Sequence, residues 1–284
     1  MIVTILVLAA AVIVGVIANT RVRPYAKSEV QGVKLELMVS PLLALTTLLL
    51  AFVLVQVFTS YNRAKLSAGD EAGRVAGEFR LLQYLNDEHT ITGQSALICY
   101  ARAVVNLEWP IMAESNMEVV PEVSQWGALL TDVLTDVAAT RTSQPFGVII
   151  STERDRIDAR RRRIAETRPA VPGAVTWLML GVSAVAILSI ATFTLPYVAR
   201  RVQIGSLTLL TFVFATMQIA ILEIDSKYDG WIRVGPEEME LISKVMEQHF
   251  VDHYPDFVLP CDADGQKPGA KHTPSSARVM HALD

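Results

Sequence analysis

The run LLALTTLLLAFVLVQVF at residues 42–58 decides the class of this chain. It carries no charge and is about as long as the ~20 residues a helix needs to cross a bilayer. Working outward, the chain holds three more such runs. IVTILVLAAAVIVGVIA stands before it at residues 2–18, and two further runs come late, at 177–198 and 204–222. Between the two pairs lies a polar stretch that keeps helical periodicity. The sequence therefore predicts an all-α polytopic membrane protein with four transmembrane helices and a helical soluble domain between spans two and three.

Composition agrees. Of 284 residues 51% are hydrophobic and only 19% charged, the latter below the ~25% of soluble domains. The net charge of −4 lacks the basic excess that nucleic-acid binding requires. The two cysteines, Cys99 and Cys261, show no metal spacing and are read as free thiols. Residues 2–18 have no basic n-region and no A-x-A at their end, so they read as a retained span rather than a signal peptide.

The expected organisation is residues 1–60 for spans one and two, 61–172 for the soluble domain and 173–224 for spans three and four. A post-membrane segment with a short helix follows at 225–258, then a loosely ordered polar tail at 259–284. Four spans put both termini and the large loop on one side. Counting Lys and Arg near the spans favours that side as cytoplasmic, with Arg63, Lys65 and the arginines before span three outweighing Arg21, Arg23, Lys27, Lys34, Arg200 and Arg201 in the short connectors. The uncharged flank before span one argues the reverse. The expected location is a bacterial inner membrane, multi-pass.

Within the soluble stretch, helices are expected at 62–85, at 90–109 ended by Pro110, at 121–141 and at 146–167. In the last, Ile150, Ile157 and Ile164 recur every seven residues as a packed seam. The run Arg160, Arg161, Arg162 and Arg163 covers a full helical turn. It has three readings: attraction of anionic lipid headgroups near a membrane, an anion-gathering vestibule, or pairing with Asp70, Glu71 and Glu78. After span four a short helix at 236–250 presents Met239, Ile242, Val245 and Met246.

Span two stacks Thr46, Val53, Gln56, Ser60 and Arg63 on one face. Span four similarly aligns Thr208, Thr211, Gln218 and Asp225. Such a line either walls a conduction path or hydrogen-bonds between helices. Pro41 stands near the start of span two and Pro196 at the end of span three, positions that suit a first turn and a terminus. No span carries a titratable group at depth, which argues against a proton relay or cation-coupled transport. Glu223, Asp225 and Asp229 match a calcium loop poorly, with Lys227 and Pro236 in ligand positions, and leave only a looser cation clasp. His249 and His253 lie four apart without an intervening catalytic Glu and read as a surface pair. No nucleophile–base pair, phosphate loop or metal quartet is visible, so no enzyme and no cofactor are expected.

Several stretches together resemble a known family. They are Phe58-Thr-Ser-Tyr61-Asn-Arg63 with Glu71 and Glu78, Tyr100-Ala-Arg102 with Glu108-Trp109-Pro110, the arginine-rich stretch leading to Pro172 and Trp177, and Asp225 with Asp229-Gly230-Trp-Ile232-Arg233 and Pro236. The chain to about Phe250 is similar to the bacterial bestrophin-like membrane proteins. True bestrophins are pentameric anion channels whose second span lines the pore at an apolar neck. The resemblance implies Leu49, Phe52, Val53 and Gln56 as neck candidates. It implies a calcium clasp near Glu223–Asp229, which here lacks consecutive acids. Arg63 and Arg160 to Arg163 are candidates for attracting anions or lipid headgroups. The resulting expectation is a homo-oligomeric, chloride-type channel. The rival is a non-catalytic accessory subunit of a larger membrane complex. Partners would be membrane lipid, further copies of the chain, or other membrane-complex subunits.

Overall fold

The computed structural model describes residues 2–22, 35–114, 120–140, 146–193 and 199–268. Among them the order is α1 (Ile2–Val22), α2 (Leu35–Leu82), α3 (Asp87–Ala103), a π-turn (Val104–Glu108), α4 (Trp109–Ala113), α5 (Pro121–Thr140), α6 (Phe146–Ala165), α7 (Gly173–Phe193), α8 (Arg200–Asp225) and α9 (Glu237–His253). No strand occurs among the described residues. Two compact units form. The first comprises Met1–Ala64 and Arg168–Val234, the second Lys65–Thr167 and Gly235–Asp284, and α2 contributes to both. Arg23, Lys27, Lys34, Arg141, Pro196, His272, His281 and the tail beyond residue 268 lie outside the described residues.

The first unit is the spanning bundle. α1, α2, α7 and α8 are each long and apolar enough to cross a membrane. Leu8, Leu50, Val57, Leu180, Ile187, Phe214 and Ile221 form its core. Lipid tails are as apolar as these side chains, so burial alone gives little drive, and close backbone packing and interhelical hydrogen bonds supply the rest. Gly15 of α1 provides the close approach, because a Cβ there would run into the Ala191 Cβ of α7. The contact is latched by Asn19 Nδ2, which donates to the Thr192 carbonyl at 2.8 Å. Gln203 Nε2 donates to the Ala191 carbonyl at 3.2 Å. Pro41 lies inside α2 rather than at its first turn. It removes one donor to the carbonyl four residues back, a local loss that a helix this long absorbs.

The second unit is built around α3, whose residues from Gly93 to Ala101 are all buried. A helix buried on every side is central, and its buried Thr90 and Gln94 donate to the Leu82 and Phe79 carbonyls of α2. Asn86 caps it, its side chain accepting from the His89 N–H. Val75, Phe79 and Leu82 of α2, Trp126, Leu130 and Leu134 of α5, Ile149 of α6 and Met246 and Phe250 of α9 are buried around it. Three details differ from expectation. The helix does not stop at Pro110: the chain makes a π-turn and starts α4 at Trp109, with Pro110 in a first turn where no N–H is needed. In α9 the buried stripe is Met239, Ser243, Met246 and Phe250, and Val245 stays exposed. The isoleucine seam of α6 is not its buried face: Ile149, Glu153, Arg156, Ala159 and Arg163 are.

The cysteines are not free thiols. Cys99 and Cys261 form a disulfide across 162 residues of sequence. Separation in sequence hid their proximity, which only the packing of the post-α9 chain on α3 creates. The segment from Cys261 to Lys267 is consequently ordered where a loose tail was expected. Asp262 Oδ1 accepts from the backbone N–H groups of Asp264 and Gln266, at 3.0 and 2.8 Å. Trp126 Nε1 donates to the Gly265 carbonyl at 2.6 Å. Gly265 has φ +82°, and a Cβ on it would strike the backbone of Ala103, so glycine is required there.

Gly15→Val is expected to cost at least about 1–3 kcal/mol by overpacking against α7. The check is the unfolding midpoint of detergent-solubilised protein; an unchanged midpoint would mean that the α1–α7 approach is not tight.

Candidate functional site

Two places carry the residues singled out by sequence: the outer face of α2 and the charged interior beneath α6. On α2, Leu45, Phe52, Gln56, Thr59 and Arg63 fall on one helical face and are exposed within the chain. Phe52 is 70% exposed. Leu49 flanks this face half-buried, and Val53 faces the bundle at 6% exposure. The structure thus brings Phe52 and Gln56 together, with Leu49 at their edge, and turns Val53 inward. The polar line of span two is split likewise. Thr46 and Ser60 are buried in the bundle. Thr46 Oγ1 donates to the Leu42 carbonyl at 2.7 Å and Thr59 Oγ1 to Val55 at 2.8 Å, so these hydroxyls are satisfied by their own helix. On α8, Gln218 is buried and its Nε2 donates to Ser183 Oγ at 2.7 Å. That amide joins α8 to α7 and takes the interhelical reading rather than the conduction one.

The acidic residues after α8 act as a staple. Asp225 accepts from the backbone N–H groups of Ala170 at 2.7 Å and Val171 at 3.4 Å. Lys227 Nζ donates to the Arg168 carbonyl at 2.6 Å. Glu223 accepts from the Trp231 N–H at 3.3 Å, beside Gly230 with φ +84°, where a Cβ would meet the Glu223 carboxylate. These bonds fix the chain leaving α8 against the chain entering α7. Glu223, Asp225 and Asp229 are not gathered into one cluster, and no group of three metal-ligating side chains occurs among the described residues.

The second unit hides a charge network. Arg163 is fully buried and its guanidinium bridges Glu71 of α2 and Glu108 of the π-turn. Arg160 also reaches Glu108, its Nε at 3.1 Å. Arg156 Nε donates to Glu78 at 2.6 Å. Tyr100 Oη donates to Glu71 at 2.6 Å, and Arg156 lies over the Tyr100 ring. Arg163 lies over the Trp109 ring. Arg162 and Arg74 pair with Asp70 and Asp155 nearer the surface. Of the three readings of the arginine run, pairing with Asp70 and Glu71 is found for Arg162 and Arg163; Arg160 pairs with Glu108 instead, Glu78 takes Arg156 from outside the run, and Arg161 is the most exposed of the four. Sequence reading missed Glu108, Tyr100 and Arg156. For Arg156 the signal was the seven-residue spacing shared by Glu71–Glu78 and Arg156–Arg163, which stacks acids on one helix opposite bases on another; Glu108 and Tyr100 carry no such pattern.

Burial pushes the Glu108 carboxyl up, but the guanidiniums of Arg163 and Arg160 outweigh it and hold it below the usual range. Burial, with the Glu71 carboxylate beside it, pushes the Tyr100 phenol well up, so it remains a donor.

A family model for the bestrophin-like domain matches residues 4–239. The chain belongs to the bestrophin-like family. Among solved structures, a bacterial bestrophin homologue from Klebsiella pneumoniae superposes with TM-score 0.62 at 13% identity, covering 89% of this chain and 99% of that one. A single-substitution variant of the same homologue gives 0.65 at 11% identity, covering 89% and 99%. Identities this low establish a shared fold. Among curated proteins no match was found.

In this bestrophin-like chain Glu108→Gln leaves the buried Arg163 and the half-buried Arg160 short of charge and is expected to cost about 3–5 kcal/mol. Because the folded-state value of Glu108 is depressed, its contribution is fully present above the ordinary glutamate value of about 4.3 and lost as pH falls below it. Denaturation of wild type and variant from pH 7 to 3 checks both; a variant as stable as wild type at pH 7 would remove the network from its supporting role.

Proposed function

We propose that this bestrophin-like protein assembles with copies of itself into an anion-conducting, chloride-type pore lined by α2. The observation that carries the reading is the outer face of α2. A bestrophin-like four-span bundle leaves Leu45, Phe52, Gln56 and Thr59 uncovered by its own chain, in a line without charge and with an aromatic at its middle. Leu49, Phe52 and Gln56 form the neck, Val53 supports it from behind, and Arg63 draws anions towards its end. Apolar constrictions restrict permeation by dewetting. The pentamer is implied by family resemblance.

Purified protein in liposomes is expected to pass chloride above empty vesicles, and Phe52→Ala to pass more. A barrier lower by about 1 kcal/mol is roughly a fivefold faster flux. Assembled protein that passes no chloride overturns the reading. Recovery with different chains in fixed proportion after mild extraction would instead favour the accessory-subunit role.

The side on which the large loop lies turns on the disulfide. Disulfides persist in oxidising compartments. The positive-inside count is meaningful over loops shorter than about 60 residues, and the two short connectors are both basic. Arg160 and Arg163, which weigh towards a cytoplasmic loop, are neutralised within the fold. These three observations support placing the second unit outside the cytoplasm, opposite to the plain charge count. In cells denatured without reductant, a mass-tagged alkylating agent is expected to add nothing to wild type and two tags after reduction. Two tags without reduction would return the loop to the cytoplasm.

A further inference from the structure

The second unit contains a cavity of about 440 Å³ between α5 and α6. Its polar wall is Ser124, Thr131, Arg156, Arg160 and Arg161, with Gly127 opening it from α5. Ala128, Ile157 and Ile164 supply an apolar floor. That size lies within the roughly 300–1,000 Å³ of small-molecule sites.

The charges are unevenly spent. Glu78 holds Arg156 by its Nε edge, where Arg156 Nη2 and Glu78 Oε1 are both buried without a hydrogen-bond partner among the described residues, and the edge that Arg156 turns to the cavity is Nη1. Arg156 as a whole is 2% exposed. Its Nη1 lies 3.9 Å from the point a Cβ on Gly127 would occupy, so this guanidinium borders the open wall. Glu108 takes Nε and Nη2 of Arg160, leaving Nη1 with a long 3.5 Å approach to Ser124 Oγ. Arg161 meets Asp158 at 3.5 Å, with its side chain 76% exposed at the rim. Among the described residues no carboxylate lines the cavity; Glu153, which accepts from Thr131 Oγ1 at 2.6 Å, stands behind that residue. Three guanidiniums line one cavity, and an oxyanion is the group that matches their donors.

We infer that this cavity is a binding site for a small oxyanion-headed ligand, a carboxylate or phosphate carrying a short apolar body. The head meets Arg156, Arg160 and Arg161, and the body lies on Ile157 and Ile164. The seven-residue-spaced isoleucines left out of the core thereby gain a role. The site is separate from the α2 face, and a protein that conducts nothing would bind the ligand unchanged.

The test is titration calorimetry on the full chain in mild detergent, with inorganic phosphate, butyrate, and short-chain phosphatidylglycerol beside short-chain phosphatidylcholine. Gly127→Leu is the occluding variant: a Cβ there meets no atom closer than 3.9 Å, and leucine suits a helix better than glycine. Arg161→Gln is the rim variant. Saturable binding of phosphate or butyrate, weakened about tenfold or more by Gly127→Leu and a few-fold by Arg161→Gln, supports a free anion as ligand. Binding of phosphatidylglycerol alone, with the same losses, supports a lipid headgroup. No saturable binding, binding undiminished in Gly127→Leu, or equal binding of phosphatidylcholine overturns the inference.

Discussion

Arg163 sits without solvent contact between Glu71 and Glu108, and the second unit is organised by that constraint. A buried charge is tolerated only when paired and hydrogen-bonded on its remaining positions. Satisfying Arg163 therefore fixes three elements: the lower part of α2 that carries Glu71, the π-turn that carries Glu108, and α6 itself. The π-turn follows from the same demand combined with Pro110, since a regular helix would lose a donor there. Tyr100, held to Glu71, ties the network to the central helix α3. Of the basic run, Arg163 lies in the interior of the folded unit and Arg160 is half-buried, while Arg161 and Arg162 stay exposed.

The spanning unit answers the opposite problem. It has few charges to satisfy and little hydrophobic drive between helices, so small contacts and single amides carry its specificity. Gly15 against Ala191, Asn19 on Thr192, Gln203 on Ala191 and Gln218 on Ser183 are each a donor or a missing Cβ placed where two helices meet. The post-α8 staple of Asp225, Lys227 and Glu223 then closes the ends of α7 and α8 against one another. Bonds to backbone groups occupy the carboxylates of Glu223 and Asp225, two of the three in the candidate cation clasp. The face of α2 that these contacts leave open is the face the proposed pore requires.

The disulfide and the ordered segment from Cys261 to Lys267 form a second clamp on α3. Trp126, Arg102 and Asn106 all donate to carbonyls of that short loop. Each is an ordinary helical residue in sequence. Only a chain that returns after α9 gives them partners.

By itself the sequence determined the all-α class, the four spans, the helices between and after them, and the family, because apolar run length and helical periodicity are local properties. It also named two acids that pair with the arginine run, Asp70 and Glu71, but not Glu108. The tertiary structure alone decided which face of each helix is inside. On α6 the buried face is the charged one, against the apolar rule, because Glu71, Glu78 and Glu108 arrive from elsewhere to neutralise it. On α2 it separated Val53 from Phe52 and Gln56 by packing one side of the helix. It joined Cys99 to Cys261 and turned the start of a polar tail into structure. All three depend on contacts between residues distant in sequence, and no local pattern encodes those.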